Sequence, residues 1–274
     1  MNYRHAFHAG NFADLVKHAA LLRLMSAMTR GSPLTVIDTH AGRGLYDLAG
    51  AEAARSGEAE AGIGRLMAEQ GAPPEIMALK SAVMALNDGE GLRRYPGSPW
   101  LIAQALRPAD RYLACELNPD EHAALAETFK GQPTVRTLCV DGFQALQTLA
   151  PAQARVLALI DPPFERADDY VRIVAALRAL RAHNPAAVAL VWLPLKDLET
   201  FDAFLRDLEE AIRGRILIAE TRVRPLTNPM KMNGCALALV GGPDLQAAFA
   251  AICGWVAESF GAGGLARVYS LPSR

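Results

Sequence analysis

Four short apolar runs, each ending in an acidic residue, constrain this chain more than any other feature. Leu34-Thr35-Val36-Ile37 runs into Asp38, Tyr112-Leu113-Ala114-Cys115 into Glu116, residues 135–140 into Asp141, and residues 156–160 into Asp161. Runs this short and this apolar read as strands covered on both faces. Alternation with longer helical patterns then calls for a mostly parallel sheet flanked by helices, an α/β fold. In an open sheet of this kind the carboxyl ends of the strands share one crevice, so the four acids are expected to face a common ligand. Loops are polar in general, and one acid at a strand end would say little. Four in register, with Gly42, Gly44 and Gly142 beside them, say more.

The rest of the chain fits around that frame. Asn11 or Asp14 can start a helix whose apolar positions Leu15, Ala19, Leu22 and Met25 recur at helical spacing and which ends near Gly31. After the turn Asp38-Thr39-His40-Ala41-Gly42-Arg43-Gly44 a crossover helix is due. About fifty residues rich in Ala, Glu and Gly intervene instead, with helical stretches at 57–70 and 74–86. We read residues 50–94 as a helical insertion within one domain spanning 1–274. The crossover helix then begins near Pro96, with Ser98 as the expected N-cap and Pro99 in its first turn. Further helices are expected at 119–130 and 143–149, and further strands at 187–192, 216–223 and 235–240. The last two are expected to pair through a turn containing Asn228-Pro229.

Composition narrows the chemistry only slightly. With 28 basic against 29 acidic residues the net charge is -1, so a nucleic-acid partner would have to be met by a local patch. The four cysteines are widely spaced, as expected of reduced thiols in a cytoplasmic protein. No apolar run reaches the roughly 18 residues of a membrane span.

A carboxylate at the second strand end offers paired acceptors at the spacing of two vicinal ribose hydroxyls, which suits Glu116. Asp141-Gly142 can read the amine and ring edge of adenine. A nicotinamide dinucleotide would also satisfy Glu116. Its pyrophosphate, however, calls for a Gly-x-Gly-x-x-Gly turn opening into a helix, which Asp38 to Gly44 does not provide. A nucleoside without phosphates is therefore expected, and S-adenosylmethionine is the common one.

Asp161-Pro162-Pro163-Phe164 is the sharpest motif. Two prolines fix the backbone and supply no amide donors, so the loop presents the Asp161 carboxylate and the Pro162 carbonyl as acceptors beside the aromatic face of Phe164. That arrangement suits an amine on a planar base: the base stacks on Phe164 while its amino group donates to Asp161 and Pro162. Asp-Pro and Pro-Pro also make ordinary rigid turns, and it is the position of the motif on the fourth strand end that favours chemistry.

At this point the sequence resembles the RlmJ family of 23S ribosomal RNA adenine methyltransferases. The resemblance runs over nearly the whole chain. It includes Tyr3-Arg4-His5-Ala6-Phe7-His8-Ala9-Gly10-Asn11, Asp14, Lys17-His18, Asp38-Thr39-His40-Ala41-Gly42, Tyr95-Pro96-Gly97-Ser98-Pro99, Glu116, Asp141-Gly142-Phe143 and Asp161-Pro162-Pro163. It implies a Rossmann-like class I methyltransferase fold with a mostly parallel seven-stranded sheet and a small helical insertion after the first strand. The implied activity is methylation of the N6 amine of one adenine in 23S ribosomal RNA, with S-adenosylmethionine as donor. It further implies that His18, His40, Ser98, Glu116, Asp141, Gly142 and Asp161 surround the donor, that Asp161 is catalytic, and that Tyr3 contacts the target nucleotide. Phe164 departs from the family's usual tyrosine, which keeps the stacking face and loses a hydroxyl.

The N-terminal segment reads as a substrate arm, with Tyr3 and Phe7 offering stacking faces and Arg4, His5, His8 and Lys17 offering donors. Arg222, Arg224 and Lys231 are further candidates for phosphate contacts. His5-x-x-His8 lacks nearby ligands to complete a metal site, and no metal is expected. A monomer acting on 23S ribosomal RNA is expected, the alternatives being a DNA adenine methyltransferase and a non-catalytic RNA-binding relative.

Overall fold

A computed structural model describes residues 7–50, 56–88, 91–227 and 232–272. Tyr3, Arg4, His5, the Asn228-Pro229 turn and Lys231 lie outside the described residues. Helix α1 (Phe12–Met28) begins at Asn11, whose side chain accepts from the amides of Ala13 and Asp14, both at 3.0 Å. Most of α1 is buried, Asp14, Lys17 and His18 included.

The strands that follow are β1 (Leu34–Asp38), β2 (Leu45–Asp47), β3 (Arg94–Pro96), β4 (Arg111–Cys115), β5 (Val135–Leu138), β6 (Arg155–Ile160), β7 (Val188–Leu195), β8 (Ile216–Arg222), β9 (Gly234–Val240) and β10 (Leu265–Ser270). The main sheet has eight strands in the order β10-β8-β9-β7-β6-β1-β4-β5. β5, β4, β1, β6 and β7 are mutually parallel; β9 is antiparallel to β7 and β8, and β10 is antiparallel to β8. This is the expected α/β architecture with one strand more than the seven expected. The extra strand is β10, whose alternating, half-exposed residues pair along the β8 edge and carry no continuous apolar run. The chain leaves β1 and returns to its two neighbours, β4 on one side and β6 on the other, so the crevice of a doubly wound sheet opens above the end of β1.

Between β1 and β4 the structure adds a small device that the sequence did not disclose. β2 and β3 pair antiparallel, Leu45 opposite Pro96 and Tyr46 opposite Tyr95, which closes the intervening segment at its base. That segment holds a π-helical turn (Glu60–Gly64), α2 (Arg65–Ala68) and α3 (Pro74–Leu86). Its buried Ile63, Leu66, Ile76, Leu79 and Val83 belong to the same apolar cluster as α1. The two-stranded clasp returns the chain to the start of α4 (Ser98–Ala105). The N-cap of α4 is Gly97 rather than Ser98: Ser98 is already the first helical residue, and its hydroxyl donates to Asp38 Oδ2 at 2.9 Å.

Helices α5 (Pro119–Thr128), α6 (Gly142–Leu149), α7 (Asp169–His183), α8 (Leu198–Ala211) and α9 (Gln246–Phe260) complete the layers. Two apolar clusters result. One holds α1, the insertion and α9 against one face of the sheet; the other holds residues of α6, α7 and α8 against the opposite face. All four cysteines are free, Cys139 exposed and the other three buried. Among the described residues no helix is long and apolar enough to cross a membrane.

Candidate active site

A cavity of about 980 Å³ opens at the carboxyl ends of the parallel strands. The expected donor-site residues His18, His40, Ser98, Glu116, Asp141 and Gly142 all line it. So do Asp161, Pro162, Pro163 and Phe164. Volumes up to ~1,000 Å³ are usual for small-ligand sites, so there is room for a nucleoside and part of a second planar group.

Glu116 is held at the rim by two amides: Oε2 accepts from Gly42 N at 2.9 Å and Oε1 from Asn118 N at 2.7 Å. Gly42 has φ +64, and a Cβ there would lie 2.5 Å from the Tyr46 hydroxyl, so the turn requires glycine on both counts. Burial raises the Glu116 carboxyl above its usual range against the pull of those amides. Asp141 caps α6 through Oδ1, accepting from Phe143 N at 2.9 Å and Gln144 N at 3.2 Å, while Oδ2 accepts from Arg172 Nη2 at 2.5 Å. Burial pushes the Asp141 carboxyl up, but Arg172 and the amides outweigh it and leave it below the usual range. Gly142 sits so close to the β1 loop that a Cβ would be 1.9 Å from the Thr39 carbonyl oxygen.

The catalytic-loop candidate is held from below. Lys17, 5% exposed, contacts Asp161 Oδ2 at 2.7 Å and Asp14 Oδ1 at 2.9 Å through Nζ. Burial opposes its charge, and the two carboxylates overcome that opposition and raise the Lys17 pKa. Asp161 Oδ1 makes no hydrogen bond among the described residues. Phe164 has φ +51, the left-handed region that costs a bulky residue roughly 1–2 kcal/mol. Its ring packs against Tyr170 at 5.0 Å and Trp192 at 5.9 Å, an aromatic cluster that holds the strained loop in place.

Two expectations need correction. Asp38 does not face the cavity. It is fully buried beneath it, accepting from Ser98 Oγ, Tyr112 Oη at 3.1 Å and His40 N at 3.2 Å, and burial pushes its carboxyl up to about 7. Lys17 is not an exposed donor for RNA; its two carboxylate partners consume it. The clue in the sequence was Asp14-x-x-Lys17, a one-turn spacing that looks like an ordinary surface pair.

His18 Nδ1 is hydrogen-bonded to the Tyr95 hydroxyl at 2.8 Å. His40 meets Thr39 Oγ1 at 2.7 Å and the Phe143 ring edge-on at 5.0 Å, and burial lowers its pKa to about 4, so the ring is neutral. Arg222 turns away to Glu220 at 2.6 Å, whereas Arg224 lines the cavity. His8 pairs with Glu58 at 3.0 Å, and among the described residues no group of three or more His, Cys, Asp or Glu side chains is placed to hold a metal. Arg172 and Trp192 were not foreseen, because their importance lies in partners on other elements.

Comparison with known proteins places the chain in a family. The family described as "Ribosomal RNA large subunit methyltransferase D, RlmJ" matches residues 31–269. The "Ribosomal RNA large subunit methyltransferase J" proteins of Haemophilus influenzae and Escherichia coli are each 33% identical, over 246 and 245 residues. In both cases the match covers 89% of this chain and 88% of the relative. A crystal structure of a Legionella pneumophila protein superposes with a TM-score of 0.88 at 30% identity, covering 96% of this chain and 98% of that one. With a family match over most of its length and relatives this similar across nearly all of theirs, the chain belongs to the RlmJ family of large-subunit ribosomal RNA methyltransferases.

Proposed function

We propose that this enzyme transfers the methyl group of S-adenosylmethionine to the N6 amine of one adenine in 23S ribosomal RNA, with Asp161, Pro162 and Phe164 as the catalytic loop. The observation that carries the reading is the Asp161-Pro162-Pro163-Phe164 loop opening on the same cavity as Glu116 and Asp141. The donor set fits this cofactor. Its lining is acidic, with Glu116, Asp141 and Asp161 suited to a sulfonium and an ammonium. Glu116 takes the ribose hydroxyls and Asp141 the adenine amine. When bound, the cofactor supplies an electrophilic methyl carbon and leaves as a neutral thioether.

The protein's part is to prepare the nucleophile. The lone pair of an adenine amine is delocalised into the ring; donation of its two N–H groups to Asp161 and the Pro162 carbonyl pulls the nitrogen out of that conjugation and points the lone pair at the methyl. The amine proton then leaves, with Asp161 as the nearest acceptor. Lys17 balances the Asp161 charge and fixes its orientation, while Phe164 stacks the extruded base. Arg65 on α2, Lys196 between β7 and α8, and Arg224 after β8 line the mouth of the same cavity, a local patch of positive charge suited to flanking phosphates. The N-terminal residues Tyr3, Arg4 and His5 are proposed to contact the RNA as well.

Labelled-methyl transfer to deproteinised large-subunit RNA and to duplex DNA, run side by side, tests the substrate. Label on the RNA is expected; label on DNA alone would favour the DNA methyltransferase reading, and binding without transfer the non-catalytic one.

A further inference from the structure

Asp141 has a partner that its place at a strand end does not explain. With Oδ1 committed to the first turn of α6, one-point anchoring would leave the carboxylate plane free to swing about its Cβ–Cγ bond. Arg172, from α7, supplies the second anchor at Oδ2. The same guanidinium lies over the Phe143 ring, with Cζ 4.6 Å from the ring centre. One side chain thus grips both the acid and the ring that follow β5, and Phe143 in turn packs edge-on against His40. Arg172, Asp141, Gly142 and His40 all line the cavity. A carboxylate has about four lone-pair directions; two amides and one guanidinium leave about one for a ligand.

We propose that Arg172 is a positioning residue for the donor's adenine end: it fixes the Asp141 carboxylate so that its remaining acceptor direction faces the adenine amine, and it ties that loop to the helix following the catalytic loop. This rests on the reading of the cavity as the methyl-donor site. Arg172 is not a phosphate ligand, because its charge is already engaged by Asp141.

The same contact makes a distinctive prediction about pH. Around Asp141 stand Arg172 and Arg166 from the α7 side, His40 from the β1 loop, and Cys115 and Glu116 from the end of β4. His40 is neutral and the Cys115 thiol is pushed up to about 12, so neither changes charge between pH 5 and pH 8. Glu116 titrates in the wild type and the variant alike. Without Arg172, burial of Asp141 is opposed by the helix-start amides alone, so its carboxyl rises and the acceptor is lost at a higher pH.

The experiment is calorimetric binding of S-adenosylhomocysteine to the full chain across acid to neutral pH, comparing wild type, Arg172→Met and Arg172→Lys. Arg172→Met keeps most of the stem; it is expected to bind about tenfold more weakly at neutral pH, the effect of loosening one charge-assisted hydrogen bond. The acid limb of its affinity profile is expected to move to higher pH. Arg172→Lys keeps the charge without the planar fork, so the profile should return toward wild type with partial recovery of affinity. On RNA the loss should appear chiefly as a raised KM for the donor, with a smaller effect on kcat, the split expected of a residue that acts through donor binding. Wild-type affinity with an unshifted acid limb in Arg172→Met would make Arg172 a structural brace only and overturn the proposal. Should Arg172→Met fail to fold, an unshifted profile with unchanged affinity in Arg172→Lys, together with full affinity in the charge-free Asp141→Asn, would do the same. Failure of the wild type to bind S-adenosylhomocysteine would instead overturn the donor-site reading and this inference with it.

Discussion

Replacing Gly142 by alanine perturbs the closest approach in the site. The added Cβ would stand 1.9 Å from the Thr39 carbonyl oxygen and 2.5 Å from both its carbonyl carbon and Cα. Ordinary contact begins near 3.4 Å, so the loop after β1 and the start of α6 must part by about 1.5 Å. Neither yields easily. Thr39 is tied to β6 by its amide and its hydroxyl, both donating to the Leu159 carbonyl at 3.0 and 3.2 Å, and α6 is pinned by the Asp141 cap. Because the clash is backbone against backbone, the cost should fall at the upper end of the ~1–3 kcal/mol range for overpacking. The parting also separates His40 from Asp141, so donor affinity should drop by about tenfold or more. Urea unfolding measures the first effect and calorimetry with S-adenosylhomocysteine the second. Gly254→Ala is the control: it lies in α9 with nothing within 4 Å of a Cβ, and it should be neutral or stabilising by up to ~1 kcal/mol. If Gly142→Ala matches the wild type in both measurements, the reasoning about how the two loops wall the cavity is wrong.

Three further outcomes are expected. Asp38 sits at about 7 when folded, above an unfolded value of about 3.9, so the stability it lends is full below the unfolded value and is lost as pH rises through about 7. Unfolding free energies of Asp38→Asn and wild type should therefore converge or cross by ~3 kcal/mol between pH 5 and pH 8, the opposite slope of His40 being common to both. A constant difference across that range would contradict the assignment. Lys17→Met leaves the buried Asp14 and the part-exposed Asp161 without their cation and should cost about 3–5 kcal/mol by chemical denaturation, only part of it regained when Asp161→Leu is added, because Asp14 has still lost Lys17. Phe164→Leu keeps bulk but removes the stacking face, so methylation efficiency on RNA should fall about tenfold, as for losing one base stack, while calorimetric donor affinity stays put.

The strand ends were legible because each is a short, largely apolar run stopped by an acid, a pattern that needs no partner to be recognised. Asp141, Glu116 and Asp161 followed from it. Asp38 followed too far: the pattern brings an acid to the end of a strand, but only packing decides whether it faces the cavity or, as here, the buried Ser98 and Tyr112 hydroxyls. Lys17 and Arg172 were hidden for a related reason. Their local surroundings are those of ordinary helix surfaces, and their partners Asp161 and Asp141 lie on other elements. The β2–β3 clasp has only three residues a side, too few for periodicity to register, and β10 alternates along an edge without an apolar run.

The central claim is that the Asp161 loop directs methyl transfer to the exocyclic nitrogen of adenine. Nucleoside mass spectrometry of large-subunit RNA treated with wild type or Asp161→Ala, with donor binding to both checked by calorimetry, tests it most directly. The account predicts N6-methyladenosine at a single position with wild type, and none with an Asp161→Ala protein that still binds the donor. Methylation of a ring nitrogen or another base by the wild type, or an undiminished N6 product from Asp161→Ala, would contradict it.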